Sequence, residues 1–315
     1  MIANLRVALV AATLVALTLV LLPPQLAARR LGHPLARRIP RLWHRVACRV
    51  AGLRVHGRGT PPPRGRPALI VANHSSWADI MALGSLGELA FVAKAEVRDW
   101  PLFGWLARLQ HCVFVDRADR SGTGRQANAM AERLASGEAM VLFAEGTTSD
   151  GNEVKPFNSS LFGAAEAALR AGDLALVEVW PVSVAYLAAN GLPLGRYGRP
   201  LTAWTGDLDL LPHLLAFLRE GAVDVEISFG EPLSFTAGTR RKAVAREAEA
   251  LVKAMFSESL AEGVGRCLPA KGEPARRSAL ARSRPPHDIQ DLIPADRRLA
   301  PAVPRPPAVD ANAKD

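Results

Sequence analysis

Between about residues 66 and 262, short runs rich in branched and aromatic residues alternate with stretches whose apolar positions recur every three or four residues. The runs PALIVAN (67–73), LAFVAKAEV (89–97), CVFVDR (112–117), AMVLFAEG (139–146), ALVEVWPVSVAYL (175–187) and AVDVEISFG (222–230) predict strands. Helical periodicity predicts helices over 101–110, 124–137 with Gly137 as the stop, 158–172 and 239–262. This alternation predicts an α/β fold: one domain, with a largely parallel or mixed sheet flanked by helices. No internal repeat is visible.

The two ends follow other patterns. VALVAATLVALTLVLL (7–22) is uncharged, yet as a helix its sixteen residues reach only about 24 Å, short of a hydrocarbon core about 30 Å thick. Continuing through PPQLAA to Ala28 supplies the missing length. The run also has the size of a cleaved signal peptide, but seven arginines follow between Arg29 and Arg49, and such a flank resists translocation. Residues 1–28 are therefore expected to be a retained membrane anchor helix, with the following domain on the cytoplasmic side of the inner membrane. PRLWHRVACRVAGLRV reads as an amphipathic helix starting near Pro40, with Arg41, Arg45 and Arg49 as a stripe at steps of four. Residues 29–58 are expected to be a basic segment that lies at an anionic membrane surface, packs on the domain, or does both. The catalytic domain is expected over 59–265. Nine of the 24 prolines fall after Cys267, and 266–315 is expected to be a disordered Pro/Arg-rich tail.

Charge sharpens this division. The formal net charge is +9, with +12 in the first 78 residues and +4 from Arg266 onward, so the body between carries −7. A nucleic-acid enzyme spreads its Lys and Arg over the folded face; here they flank an apolar segment, so a nucleic-acid partner is not expected. Cys48, Cys112 and Cys267 have no paired spacing and suggest neither a disulfide framework nor zinc.

Ligands of such sheets bind beyond the carboxyl ends of the strands. Three predicted strands end in polar sequence: Asn73-His74-Ser75-Ser76-Trp77-Ala78-Asp79, Asp116-Arg117, and Glu145-Gly146-Thr147-Thr148-Ser149. His74 and Asp79 alone allow two readings. Ser75 or Ser76 can cap a helix with Asp79 in its first turn; equally, the carboxylate can hold one imidazole nitrogen and make the other a base. Arg117 can grip an anion in bidentate fashion, and Gly146 lets backbone approach a ligand.

Taken in order, these blocks resemble the glycerolipid acyltransferase family typified by bacterial 1-acylglycerol-3-phosphate O-acyltransferases. N-H-x4-D falls on Asn73, His74 and Asp79; the second block falls on Phe114, Val115 and Arg117; the third falls on Phe143, Glu145, Gly146 and Thr147; Pro181 matches the fourth. The resemblance implies transfer of an acyl group from an acyl thioester, on acyl carrier protein or coenzyme A, to a lysolipid hydroxyl. It makes His74 the general base and Asp79 its orienting partner. It assigns Arg117, Glu145, Gly146 and Thr147 to the acceptor's polar head, and implies no metal or bound cofactor. Ala144 replaces the family's proline, Thr148 an arginine found in many members, and His111 a glycine. Losing that arginine weakens the case for a phosphate monoester, although Lys155 or Lys94 can replace it. The first acceptor expected is 1-acyl-sn-glycerol-3-phosphate. The second is a lyso-ornithine lipid, because AEGTTSDGN and PLGRYGRPLTAWTGDLDL look like the lyso-ornithine lipid acyltransferase branch. An esterase would need a G-x-S-x-G elbow and an NTPase a P-loop, and neither occurs. An inert membrane lipid-binding protein is the remaining alternative, against which the intact His74 and Asp79 stand.

Overall fold

All six strand runs and all four helical stretches are present, some trimmed at their ends, in the computed structural model, which describes residues 2–115, 123–170, 174–205 and 208–267. In chain order the elements are α1 (Ile2–Arg30), α2 (Leu35–Ala51), β1 (Leu53–Arg58), β2 (Ala68–Ala72), α3 (Ala78–Leu86), β3 (Leu89–Lys94), α4 (Phe103–Leu109), β4 (Val113–Val115) and α5 (Thr123–Ala135). There follow β5 (Ala139–Phe143), α6 (Gly163–Arg170), β6 (Val177–Ala189), β7 (Leu192–Pro193), α7 (Gly195–Gly198), α8 (Leu210–Glu220), β8 (Val223–Phe229), β9 (Leu233–Phe235) and α9 (Arg241–Cys267). Of the tail expected over 266–315, residues 266 and 267 close α9 and the rest lies beyond the described residues.

The sheet order is β1-β8-β6-β2-β5-β3-β4, with β7 and β9 also paired to β6. Neighbours from β6 to β4 run parallel, whereas β8 pairs β6 antiparallel and β1 follows β8. The sheet is therefore mixed, and the carboxyl ends of β2, β5, β3 and β4 share one edge. Every position of β2 is buried, as a strand covered on both faces requires. One face packs on α2, α3 and α8 through Cys48, Leu83 and Phe217, the other on α5, α6 and α9 through Leu134, Leu169 and Val252. Cys48 and Cys112 are both free.

Two boundaries differ from expectation. Helix α2 begins at Leu35 rather than near Pro40, and it stops at Ala51 because Gly52 turns left-handed at φ +83°. A side chain at Gly52 would stand 2.0 Å from the Gly221 carbonyl oxygen. The chain then enters β1, so the sheet starts inside 29–58, the stretch expected as an interface segment. His111, where the family has glycine, also adopts a positive φ of 61°, a conformation that costs most side chains strain.

Pro40 inside α2 has no N–H to give the carbonyl of Ala36, four residues back. That carbonyl accepts instead from Gln25 Nε2 of α1 at 3.0 Å, and the same nitrogen reaches the carbonyl of Leu109 at the end of α4 at 2.9 Å. At the opposite end of α1, Arg6 donates to the carbonyls of Ala51 and Gly221. Helix α1 is about 43 Å long by its rise per residue, long and apolar enough to cross a membrane. It is nevertheless bonded to the domain near both ends, with leucines along its outer side exposed. Gln25→Leu is expected to destabilise the fold by about 1–3 kcal/mol per abandoned carbonyl. Adding Pro40→Ala, which restores the N–H facing Ala36, should recover part of that loss in denaturant unfolding of the detergent-solubilised protein; strictly additive effects would disprove the exchange.

Candidate active site

At the end of β2 the chain leaves the sheet by a side-chain substitution for the ladder. Asn73 Nδ2 donates to the carbonyl of Val184 at 2.9 Å, and its Oδ1 accepts from the amide of Val184 at 2.8 Å. This fastens the strand end to β6 and releases the next residues as a turn. Small Ser75 and Ser76 then let the chain double back into α3, so that Asp79, in the first turn of that helix, meets His74.

The Asp79 side chain is fully buried and the His74 side chain is 16% exposed. Asp79 Oδ2 lies 2.8 Å from His74 Nδ1 and accepts the amides of Ser75 and Ser76 at 2.8 and 2.9 Å. Its Oδ1 accepts the Tyr186 hydroxyl at 2.7 Å. Four donors on two oxygens are the pattern of an acceptor-only carboxylate. That pattern assigns the proton to His74 Nδ1 and leaves Nε2 with a lone pair. The imidazole lies flat on Phe143, ring centroids 3.8 Å apart, which fixes its plane. Of the two sequence readings the carboxylate–imidazole contact is the one present: α3 is capped by Trp77 without a side-chain bond, and Ser76 Oγ only accepts the Ala78 amide at 3.4 Å just ahead of it, although Asp79 does stand in the first turn.

The turn after β5 closes on this pair. Ala144 N donates to the carbonyl of Ala72, and Ser149 N to the carbonyl of His74 at 2.8 Å. Gly146 makes the bend possible with φ +76°. Glu145 Oε1 accepts the His74 amide at 3.2 Å. Burial pushes the Glu145 carboxyl up to about 8, the charge of Asp79 adding to the effect and the His74 amide opposing it. The neutral form of this carboxyl is thereby favoured. Its Oε2 is buried with no partner among the described residues. Thr147 is exposed and Thr148 buried, and the Thr148 carbonyl accepts Lys155 Nζ at 2.7 Å. A third segment arrives after α7, where Trp204 N donates to the carbonyl of Ser75 at 2.7 Å.

His74, Asp79, Glu145 and the 146–149 turn are therefore together. Lys94 ends β3, two strands from β2, and Phe114 lies in β4, three strands away, beneath the Arg98 guanidinium at 5.1 Å. At about 4.8 Å per strand these are roughly 10 and 14 Å from the His74 strand. Arg117 lies outside the described residues. Tyr186 was missed by the sequence reading. Its signal was a phenol, one of only two tyrosines in the chain, within an otherwise apolar buried strand. Chemically, the arrangement offers a partly open base backed by a buried carboxylate, with a second carboxyl alongside. Among the described residues no group of side chains could hold a metal ion.

Comparison with known proteins accords with this geometry. The Acyltransferase family profile matches residues 52–185. A lyso-ornithine lipid O-acyltransferase of Brucella abortus (strain 2308) is 50% identical over 269 residues, covering 85% of this chain and 99% of that protein. One from Rhizobium meliloti (strain 1021) is 47% identical over 270 residues, covering 86% and 91%. The crystal structure of the 1-acyl-sn-glycerophosphate acyltransferase from Thermotoga maritima superposes with a TM-score of 0.55 at 23% identity, over 81% of this chain and 97% of that one, a likeness of fold.

Proposed function

The chain belongs to the acyltransferase family and is a lysolipid O-acyltransferase, and from that premise we propose that its acceptor is a lyso-ornithine lipid and its donor an acyl thioester on acyl carrier protein or coenzyme A. The observation that carries the chemistry is the His74 Nδ1 to Asp79 Oδ2 contact of 2.8 Å, which leaves Nε2 for the acceptor. As the acceptor oxygen attacks the thioester carbonyl carbon, His74 Nε2 takes its proton. The tetrahedral intermediate then expels the thiolate, which receives that proton, so the base returns to its starting state. Asp79 holds the imidazole in the required tautomer and stabilises the cation formed in between. Glu145, Gly146 and Thr147, with Arg117, hold the polar head of the acceptor. Asn73, Phe114, Lys94, Lys155 and Thr148 support the walls.

The acceptor assignment rests on the two relatives that match nearly the whole chain and on Thr148. A buried threonine stands where many members carry an arginine to meet a phosphate monoester, and Lys155, the cation nearest to replacing it, gives an N–H to the Thr148 carbonyl at 2.7 Å. Helix α1, long and apolar enough to cross a membrane, and the arginines of α2 support a reading in which the enzyme sits on an anionic membrane with residues 59–265 on the cytoplasmic side. Membranes containing the protein, given labelled acyl thioester with lyso-ornithine lipid and lysophosphatidate in parallel, are expected to favour the ornithine product by at least about tenfold in kcat/KM, a difference of about 1.4 kcal/mol. Phosphatidate as the only product would refute the assignment.

A further inference from the structure

Two segments close on the His74 turn, Ser149 donating to the carbonyl of His74 and Trp204 to that of Ser75. One residue beyond Ser149 stands Asp150, and five before Trp204 stands Arg199; a single side chain joins them. Asn152 gives its backbone N–H to Asp150 Oδ1 and its amide Nδ2 to Asp150 Oδ2, both at 3.0 Å. On its other side Asn152 Oδ1 accepts Arg199 Nη1 at 2.9 Å. The amide orientation is thereby fixed by both neighbours, and a carboxylate and a guanidinium are held at one fixed spacing beside the catalytic turn. Gly151 completes the bracket at φ +78°; a Cβ there would meet the Arg199 Cβ at 3.6 Å.

Neither charge is fully used by the bracket. Asp150 is exposed; the Asn152 hydrogen bonds hold its carboxyl below the usual range, with Arg196 adding to the effect. Arg199 Nε is buried without a partner among the described residues, and burial lowers the guanidinium against the opposing pull of Asp150. A partly buried guanidinium with an unused N–H is stabilised by an anion, and an exposed carboxylate by a cation. An ornithine joined to its acyl chain through one amine keeps a second amine, cationic at neutral pH, and a carboxylate.

We propose that Asp150 and Arg199, spaced by Asn152, form a receptor for a zwitterionic amino-acid headgroup, Asp150 taking the ammonium and Arg199 the carboxylate. This rests on the lyso-ornithine reading above and names the residues that select that acceptor. The cation is matched by a carboxylate that a phosphate monoester would find repulsive.

The test pairs variants with altered acceptors, using the full-length enzyme in mixed micelles. Asp150→Asn is expected to raise KM for lyso-ornithine lipid about tenfold, the size of one charge-assisted hydrogen bond, and to leave KM unchanged for the same lysolipid built on norvaline, which lacks the terminal amine. Arg199→Gln is expected to raise KM for lyso-ornithine lipid and not for its ornithine-amide counterpart, which lacks the carboxylate. Acceptor ratios within one preparation do not depend on how much of a variant is folded. A bracket that only joins two loops would weaken all acceptors alike, and that outcome, or independent losses from variant and analogue, overturns the receptor alone. Failure of the wild-type enzyme to acylate lyso-ornithine lipid while acylating lysophosphatidate overturns the acceptor reading and the receptor with it.

Discussion

Replacing His74 with alanine is expected to lower kcat by about 10²- to 10⁴-fold, the contribution of a positioned base, with the protein still folded and membrane-bound. The side chain is partly open and stacks on Phe143, so its loss opens no cavity in the sheet. The backbone contacts that shape the turn, Ser149 to His74 and Trp204 to Ser75, survive the change. Initial rates with labelled acyl thioester, beside an unfolding curve for the same preparation, check this. Near-normal turnover by the folded variant would remove His74 from the chemistry.

Asp79→Asn should cost as much and through a different cause. An asparagine keeps the size of the side chain but brings an NH2 where only donors now converge. With its oxygen toward Ser75, Ser76 and His74, its nitrogen meets the Tyr186 hydroxyl, which then has to turn and accept. The negative charge behind the imidazole is gone, so the cation formed during transfer loses its stabilisation; in a triad of this kind the loss is about 10⁴-fold in kcat. Asp79→Ala is the harsher change, because it abandons two buried amides and a phenol at about 1–3 kcal/mol each. The two variants separate chemistry from folding. Asparagine should give a folded, inactive enzyme, and alanine a protein that melts well below it. An asparagine variant with more than about a tenth of wild-type kcat would contradict the electrostatic role.

The parts of this site visible in the sequence are those encoded locally. The strand that delivers His74 is a continuous apolar run with an abrupt polar end, and the five-residue step to Asp79 lies within one turn. The β5 strand and the Glu145-Gly146 bend are written in the same way. Tyr186, by contrast, is 107 residues from Asp79 along the chain, and nothing in a strand pattern says which residue of the next strand will lean toward the first. The second flank of the site, Arg199 to Trp204, belongs to a segment with little periodicity, and its place follows only from where β6 and α8 lead it. Strand β1 was hidden because it lies at the sheet edge. Leu53 is buried, while Arg54 and His56 reach Asp224 of β8, so its composition reads as a basic linker. Helix α8 carries Pro212 in its first turn, which interrupts the run without breaking the helix.

The exchange between Gln25 and Pro40 bears on how this chain can vary. The proline removes a donor from α2 and the glutamine of α1 supplies one, so three positions, 25, 36 and 40, act as a single hereditary unit although no chemistry passes through them. A lineage that first loses the proline keeps a working helix and leaves the glutamine one carbonyl to serve, that of Leu109, where before it served two. A lineage that first loses the glutamine leaves a buried carbonyl bare, and so that order of events is closed.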